Sequence, residues 1–224
     1  MGAVLDLFKV LYEPGAVFTR VSEKPKFLMP FIGLSVIQVI LALVNLPFLK
    51  AAMTAQFAAQ AATMPAGAPD PSKFVAFGLV AVPIIMAIVL VISALVLWVL
   101  VSIMGGDGKF GTLLSVATYA CVPSVVLLGI VGMVVLQMKG VASITSPSDM
   151  QPALGLDLLA PDAKGFLGAV LKGINPFSIW SLVLTAIGIQ TTHKTSKGSA
   201  YAVAIVVLVL TLLVAGTVAM LRKG

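Results

Sequence analysis

Apolar residues fall along this chain in long, nearly uninterrupted runs, with the charged residues gathered in the stretches between them. A helix needs about 20 mostly apolar residues to cross the roughly 30 Å hydrocarbon layer of a bilayer. Four runs meet that length: 27–49, 74–104, 112–138 and 199–221. The first is interrupted only by Pro30, Gln38, Asn45 and Pro47, and the third contains Tyr119, Cys121 and Pro123. The second would be about 46 Å long as a helix, so it is expected to tilt or to stand partly outside the membrane, with Pro83 as its kink. A fifth, shorter span is expected at 176–192, started by Asn175-Pro176 because proline suits the first helical position. The stretch 162–173 is read as a separate amphipathic piece, since Lys172 would be costly at membrane depth. The fold class expected is therefore all-α, a polytopic transmembrane bundle of five spans (domain 27–224).

Residues 1–26 form a cytoplasmic amphipathic segment in this reading. Val4, Leu7, Phe8 and Leu11 share one helical face, and Asp6, Lys9 and Glu13 another. Pro14-Gly15 is expected to end that helix, and a second short one over 16–24 to be closed by Pro25. Such helices either lie on the membrane surface or pack against the bundle's own loops. The charges at 6–26 leave no room for the apolar core of a signal peptide. Long connections at 50–73 and 139–164 would lie on one side, short ones at 105–111 and 193–198 on the other.

Composition narrows the class further. The chain has 224 residues, 60% hydrophobic and 10% charged, with one cysteine, and a mean hydropathy of +1.14. Soluble domains carry about 25% charged residues, so too few charges are present to cover a water-soluble core. A disulfide scaffold and a disordered chain are excluded on the same data. The net charge of +6 suits anionic lipid, not nucleic acid. Basic residues divide evenly between the two sides. The four that precede the first span (Lys9, Arg20, Lys24 and Lys26) place the amino terminus in the cytoplasm.

Candidate chemistry is sparse. Gly106-Asp107-Gly108-Lys109-Phe110-Gly111 matches a dinucleotide-binding glycine pattern, but lies between two apolar helices where that mechanism needs a strand and a soluble helix. It reads as a tight turn. His193 is the only histidine, and one His with one Cys in another segment makes no zinc site. None of the expected spans contains Asp or Glu, which proton relays and ion-coupled sites commonly use. Gln38, Asn45, Tyr119, Gln137, Asn175 and Gln190 are read as hydrogen-bonding glue between helices. Gly129/Gly132, Ala117/Cys121 and Ala215/Ala219 are read as close-packing positions, and Trp98 and Trp180 as interfacial anchors. Catalytic, cofactor and metal residues are expected to be absent.

Several of these stretches together resemble the Yip-domain family, the Rab-GTPase-interacting membrane proteins of eukaryotes and their bacterial branch. They are Glu13-Pro14-Gly15, Phe18 and Lys24-Pro25; Gly105-Gly106-Asp107-Gly108-Lys109-Phe110; Thr118-Tyr119-Ala120 with Val122-Pro123; and Asn175-Pro176-Phe177-Ser178-Ile179-Trp180, followed by Gly188. The resemblance implies five transmembrane helices, a cytoplasmic amino terminus and no enzymatic activity. It makes Pro14, Gly15, Gly105, Gly106, Gly108, Tyr119, Pro123, Asn175, Pro176 and Trp180 the family-motif and packing positions. Eukaryotic members bind Rab-type GTPases through a longer amino-terminal region. With about 26 residues before the first span, no such GTPase is expected here, and the bacterial inner membrane is the expected location. The expected role is a scaffold or accessory subunit of a membrane complex such as an exporter, partnered by lipid and by other membrane proteins or a second copy. The alternative is a channel or carrier for a neutral or lipid-like substrate, lined by Asn45, Tyr119, Gln137 and Asn175.

Overall fold

The computed structural model of the chain describes residues 2–60 and 75–221. The turn expected near 64–72, with Lys73, Arg222 and Lys223, lies outside them. The described residues are helical and contain no strand.

At the centre of the bundle is α6, Phe110–Ala120, whose residues Thr112 to Ala120 are buried without exception. A helix apolar on all sides has no stable place except surrounded by other helices. Its hydroxyls do not disturb this, because Ser115 donates to the Gly111 carbonyl at 3.0 Å and Thr118 to the Leu114 carbonyl at 2.7 Å. Around α6 lie α5 (Val75–Ile103), α9 (Pro176–His193) and α2 (Pro14–Glu23). Leu97 and Val101 of α5, Leu113 of α6, Ile189 of α9, and Ala200 and Val203 of α10 (Lys197–Leu221) form one apolar cluster. Small residues let α10 approach there.

α5 runs through Pro83 as one helix of 29 residues, about 44 Å at 1.5 Å per residue. α5, α10 and the run Phe110–Lys139 are each long and apolar enough to cross a membrane. Two bent helix pairs bring the number to five if each pair is one span. The first pair is α3 (Leu28–Val44) and α4 (Leu46–Gln60), bent by 63°. The second is α8 (Gly165–Gly173) and α9, bent by 61°, with the break just ahead of Pro176.

The first bend corrects the sequence reading, which ran a span to 49 and a loop from 50. Asn45 sits at φ −85° and ψ 3°, off the helical ψ of about −42°. Pro47 follows two residues later and has no N–H to offer the preceding turn. The chain turns at Asn45, and Lys50 to Gln60 continue as helix.

The amino-terminal segment also differs. Pro14 occupies the first position of α2, where its missing N–H costs nothing; Pro14-Gly15 therefore begins a helix. The preceding helix, α1, spans Gly2–Lys9. The two form part of the core, packed against helices of the bundle and not against its loops. Leu7, Val10, Val17, Phe18 and Val21 are buried with Leu34, Val116, Tyr119 and Leu184. Leu7 of α1 and Val10 just beyond it face inward, with Leu11 packed against the same cluster, while Val4 and Phe8 of the expected apolar face are exposed. Asp6 and Arg20 clip the two helices together through a two-pronged ion pair, Nη2 to Oδ1 at 2.6 Å and Nε to Oδ2 at 3.3 Å.

Candidate functional site

The glycine-rich turn is a helix stop. Gly105 has φ +79°, its N–H bonds to the Ser102 carbonyl at 3.1 Å, and the Gly106 N–H reaches the Val101 carbonyl at 2.9 Å. This pair of bonds, with a left-handed residue between, is the Schellman arrangement that closes a helix. A Cβ on Gly106 would lie 2.7 Å from Val101 Cγ1, and one on Gly108 2.9 Å from Trp98 Cδ1. The Trp98 indole donates to the Gly108 carbonyl at 2.9 Å. Trp98 therefore holds the turn. The glycines are accounted for by backbone shape and close contact, with no phosphate required.

His193 joins this turn from the other short connection. The Thr192 hydroxyl donates to the Gly188 carbonyl at 2.7 Å, so its oxygen is left to accept from His193 Nδ1, also at 2.7 Å. Nε2 then accepts the Lys109 N–H at 3.4 Å. The arrangement suits the neutral imidazole with its proton on Nδ1. Sequence reading took His193 for a solvated side chain; it pins two loops 84 residues apart.

Tyr119 and Pro123 belong to a stitched region in the third run. Pro123 cannot donate to the turn before it, and the helix continues as a π turn, Pro123–Leu127, before α7, Leu128–Lys139. The groups displaced there find partners on other helices. Gln38 Nε2 donates to the Val125 carbonyl at 2.8 Å. Ser181 Oγ accepts the Ser124 N–H at 3.2 Å and lies 3.0 Å from Ser124 Oγ. The Tyr119 hydroxyl donates to the Ala3 carbonyl at 3.2 Å, fixing α1 to the central helix. Trp180 is half-buried against the same cluster.

Asn175 and Pro176 make the joint between α8 and α9. Asn175 Oδ1 accepts from the N–H groups of Phe177 (3.0 Å) and Ser178 (2.9 Å), and Nδ2 donates to the Lys172 carbonyl at 3.1 Å and the Gly173 carbonyl at 3.4 Å. One buried amide thus caps the end of one helix and the start of the next. No contact among the described residues calls for glycine at Gly15.

Polar groups also line two cavities among the described residues. One, of about 480 Å³, lies between α5, α6, α9 and α10 and includes Gln38, Cys121, Ser124, Ser181, Thr185 and Thr211 in its wall. Its hydrogen-bonding groups are largely engaged, Thr185 and Thr211 each on the carbonyl four residues earlier. The other, of about 970 Å³, opens at the end of the bundle carrying the 140–164 connection. Its wall combines Asn45, Lys172 and Asn175 with Leu128, Met133, Leu136 and Val218. Asn45 Oδ1 is buried there with no hydrogen-bond partner among the described residues. Lys172 Nζ donates to the Gln151 carbonyl at 2.9 Å and has no carboxylate within ion-pair distance among the described residues. The cavity thus brings together Asn45 and Asn175 of the four residues expected to line a passage. Tyr119 is in the core and Gln137 on the surface. Gly132, Ala215 and Ala219, expected at helix contacts, line the same space. Gly129 is the exception, lining it while also approaching Leu41 closely: a Cβ there would lie 2.9 Å from Leu41 Cδ1.

Comparison with known proteins agrees with this architecture. "Membrane protein YknW" of Bacillus subtilis (strain 168) is 29% identical over 210 residues, covering 90% of this chain and 84% of that protein. No solved structure matches the chain. The sequence pattern of the Yip1 domain matches residues 8–219, from the first helix to the last. The chain is a membrane protein and belongs to the Yip1 domain family.

Proposed function

We propose that this protein is non-enzymatic and serves as a scaffold or accessory subunit in the assembly of a larger membrane complex, an exporter being one host. The observation that carries this reading is the use made of the polar side chains inside the bundle. Gln38, Ser124, Ser181, Asn175 and Tyr119 bond to the chain's own backbone or to each other, holding the helices in place. Interhelical bonds of this kind contribute roughly 0.6 to 2 kcal/mol each. Large apolar side chains are left outward on α5 and α10, among them Ile84, Ile88, Ile92, Val209 and Leu213, available to lipid or to the helices of a partner. The similarity to a Bacillus membrane protein supports a bacterial cytoplasmic membrane as the setting. The basic residues ahead of α3 support an amino terminus on the cytoplasmic side.

A channel or carrier is the less favoured reading, because the residues expected to line its path do not meet along one passage. Affinity purification of the tagged full-length chain in mild detergent tests the proposal. A membrane protein recovered with it in a fixed ratio is the expected result. A monodisperse chain recovered alone under every gentle condition overturns it.

A further inference from the structure

His193 is the only histidine of the chain, and it stands where the two short connections meet, beyond the expected span 176–192. Its two ring nitrogens have separate tasks. Nδ1 lies 2.7 Å from Thr192 Oγ1, whose own proton is committed to the Gly188 carbonyl, so Nδ1 carries the hydrogen. Nε2 is then a bare acceptor, and it faces the Lys109 N–H at 3.4 Å. Lys109 is the cap residue from which α6 starts. A second proton on the ring has only Nε2 to go to. It would turn the acceptor into a donor, aim it at another donor, and set a positive charge at the amino end of α6, where the helix dipole opposes it.

The contact beside the ring is imperfect. Gly106 of the turn lies against Thr195 of the other connection, where an added Cβ would be 3.5 Å from Thr195 Cγ2. Thr195 Oγ1 is buried with no hydrogen-bond partner among the described residues, a deficit that water would repair once the connections part. The charges that bear on the ring are on the turn, Asp107 favouring protonation and Lys109 opposing it. Lys194 and Lys197 follow in the connection to α10, and α2, packed along α9, ends in Glu23 and Lys24. Burial is the largest influence and holds the ring below the usual 6.5, against Asp107 and with Lys109. A base kept neutral in one form supports that form fully above its ordinary pKa and withdraws the support as pH falls below it.

We propose that His193 is an acid-operated latch: the neutral ring ties the turn at 105–111 to the connection at 193–198, and protonation lets the two part. Trp98 still holds the turn to the end of α5, so the opening lies between the two connections and does not unravel α5. The latch is independent of which protein, if any, the chain assembles with.

The full-length protein with 15N-labelled histidine, in nanodiscs of uncharged phosphatidylcholine, provides the test, because a single ring reports. At about pH 7.5 its proton is expected on Nδ1, and its titration midpoint is expected below 6.5. Across that titration the hydrogen-exchange protection of residues 106–113, corrected for the intrinsic effect of pH on exchange, is expected to fall at least threefold. His193→Gln keeps an acceptor and cannot titrate, so its protection is expected to stay level over the same range. Thermal unfolding at about pH 7.5 confirms that this variant is folded. A proton on Nε2 at about pH 7.5, a midpoint above 6.5, protection unchanged as the ring titrates, or an equal fall in His193→Gln overturns the assignment.

Discussion

The ring of Phe18 lies against the α-carbon of Gly188, so closely that a Cβ on the glycine would fall 3.0 Å from Phe18 Cε1 and 2.6 Å from Val116 Cγ1. Two positions 170 residues apart are therefore a single contact between α2 and α9. Gly188→Ala forces two well-packed neighbours aside, and overpacking of this kind typically costs about 1–3 kcal/mol. Phe18→Ala empties a fully buried site at a cost of about 3–5 kcal/mol. Both variants are expected to lower the unfolding temperature in detergent and to expose the segment before α3 to proteolysis. A Gly188→Ala protein with unchanged melting and cleavage would show that the arm is not seated there.

Asn175 caps two helices with one side chain, which gives its variants a graded order. Asn175→Ala removes acceptor and donors together, and loss of a single N-cap already costs about 0.5–2 kcal/mol. Asn175→Asp keeps the oxygen that serves Phe177 and Ser178 but loses the donor that serves Lys172 and Gly173. The expected order of stability is wild type, then Asp, then Ala, read by thermal unfolding. Hydrogen exchange should locate the Ala effect at 177–179.

Acid sensitivity is expected in the connection between α7 and α8. Asp149 Oδ2 accepts the Thr145 N–H at 2.9 Å, the Ser146 N–H at 2.8 Å and both hydroxyls at 3.0 Å. These donors, the Thr145 backbone first, hold its pKa below the usual 3.8. A depressed carboxylate stabilises its turn fully above the unfolded pKa and loses that contribution as pH falls through the lower folded value. The amide resonances of Thr145 and Ser146 should therefore stay unchanged down to about pH 4 and shift below it. Asp149→Asn should remove the transition. A wild-type transition centred above pH 4 contradicts the sign.

Much of the helical layout was legible in the sequence because lipid imposes it: runs such as 74–104 and 199–221 have no other stable state. The Asn175-Pro176 start was legible as well, since a cap and a first-position proline are local signals. What escaped depends on distant partners. Asn45 and Pro47 sit in an apolar run compatible with continuous helix, and only packing of α4 on the 140–150 segment shows where the chain turns. The amino-terminal pattern marks an amphipathic helix and puts Leu7 and Leu11 inward, as they are, but it misses Val10 and wrongly includes Val4 and Phe8, because the segment is apolar on several sides and only the cluster it joins decides which side is covered. The motif glycines were recognised without their individual reasons, which lie in Val101 and Trp98. The cavity is legible only through Asn45 and Asn175, expected to line a passage: its walls come from five separate segments that no local pattern brings together.

The π turn at Pro123–Leu127 carries an implication for how the third apolar run is compared between relatives. One residue more per turn than an ordinary helix rotates everything downstream by about 100°. Upstream, α6 is enclosed by α2, α5 and α9; downstream, α7 turns toward α3 and becomes largely peripheral. A helical wheel drawn straight from 110 to 139 would assign the wrong faces beyond Pro123. A relative with a single deletion here would keep its central helix and bring a different row of side chains to the mouth of the cavity.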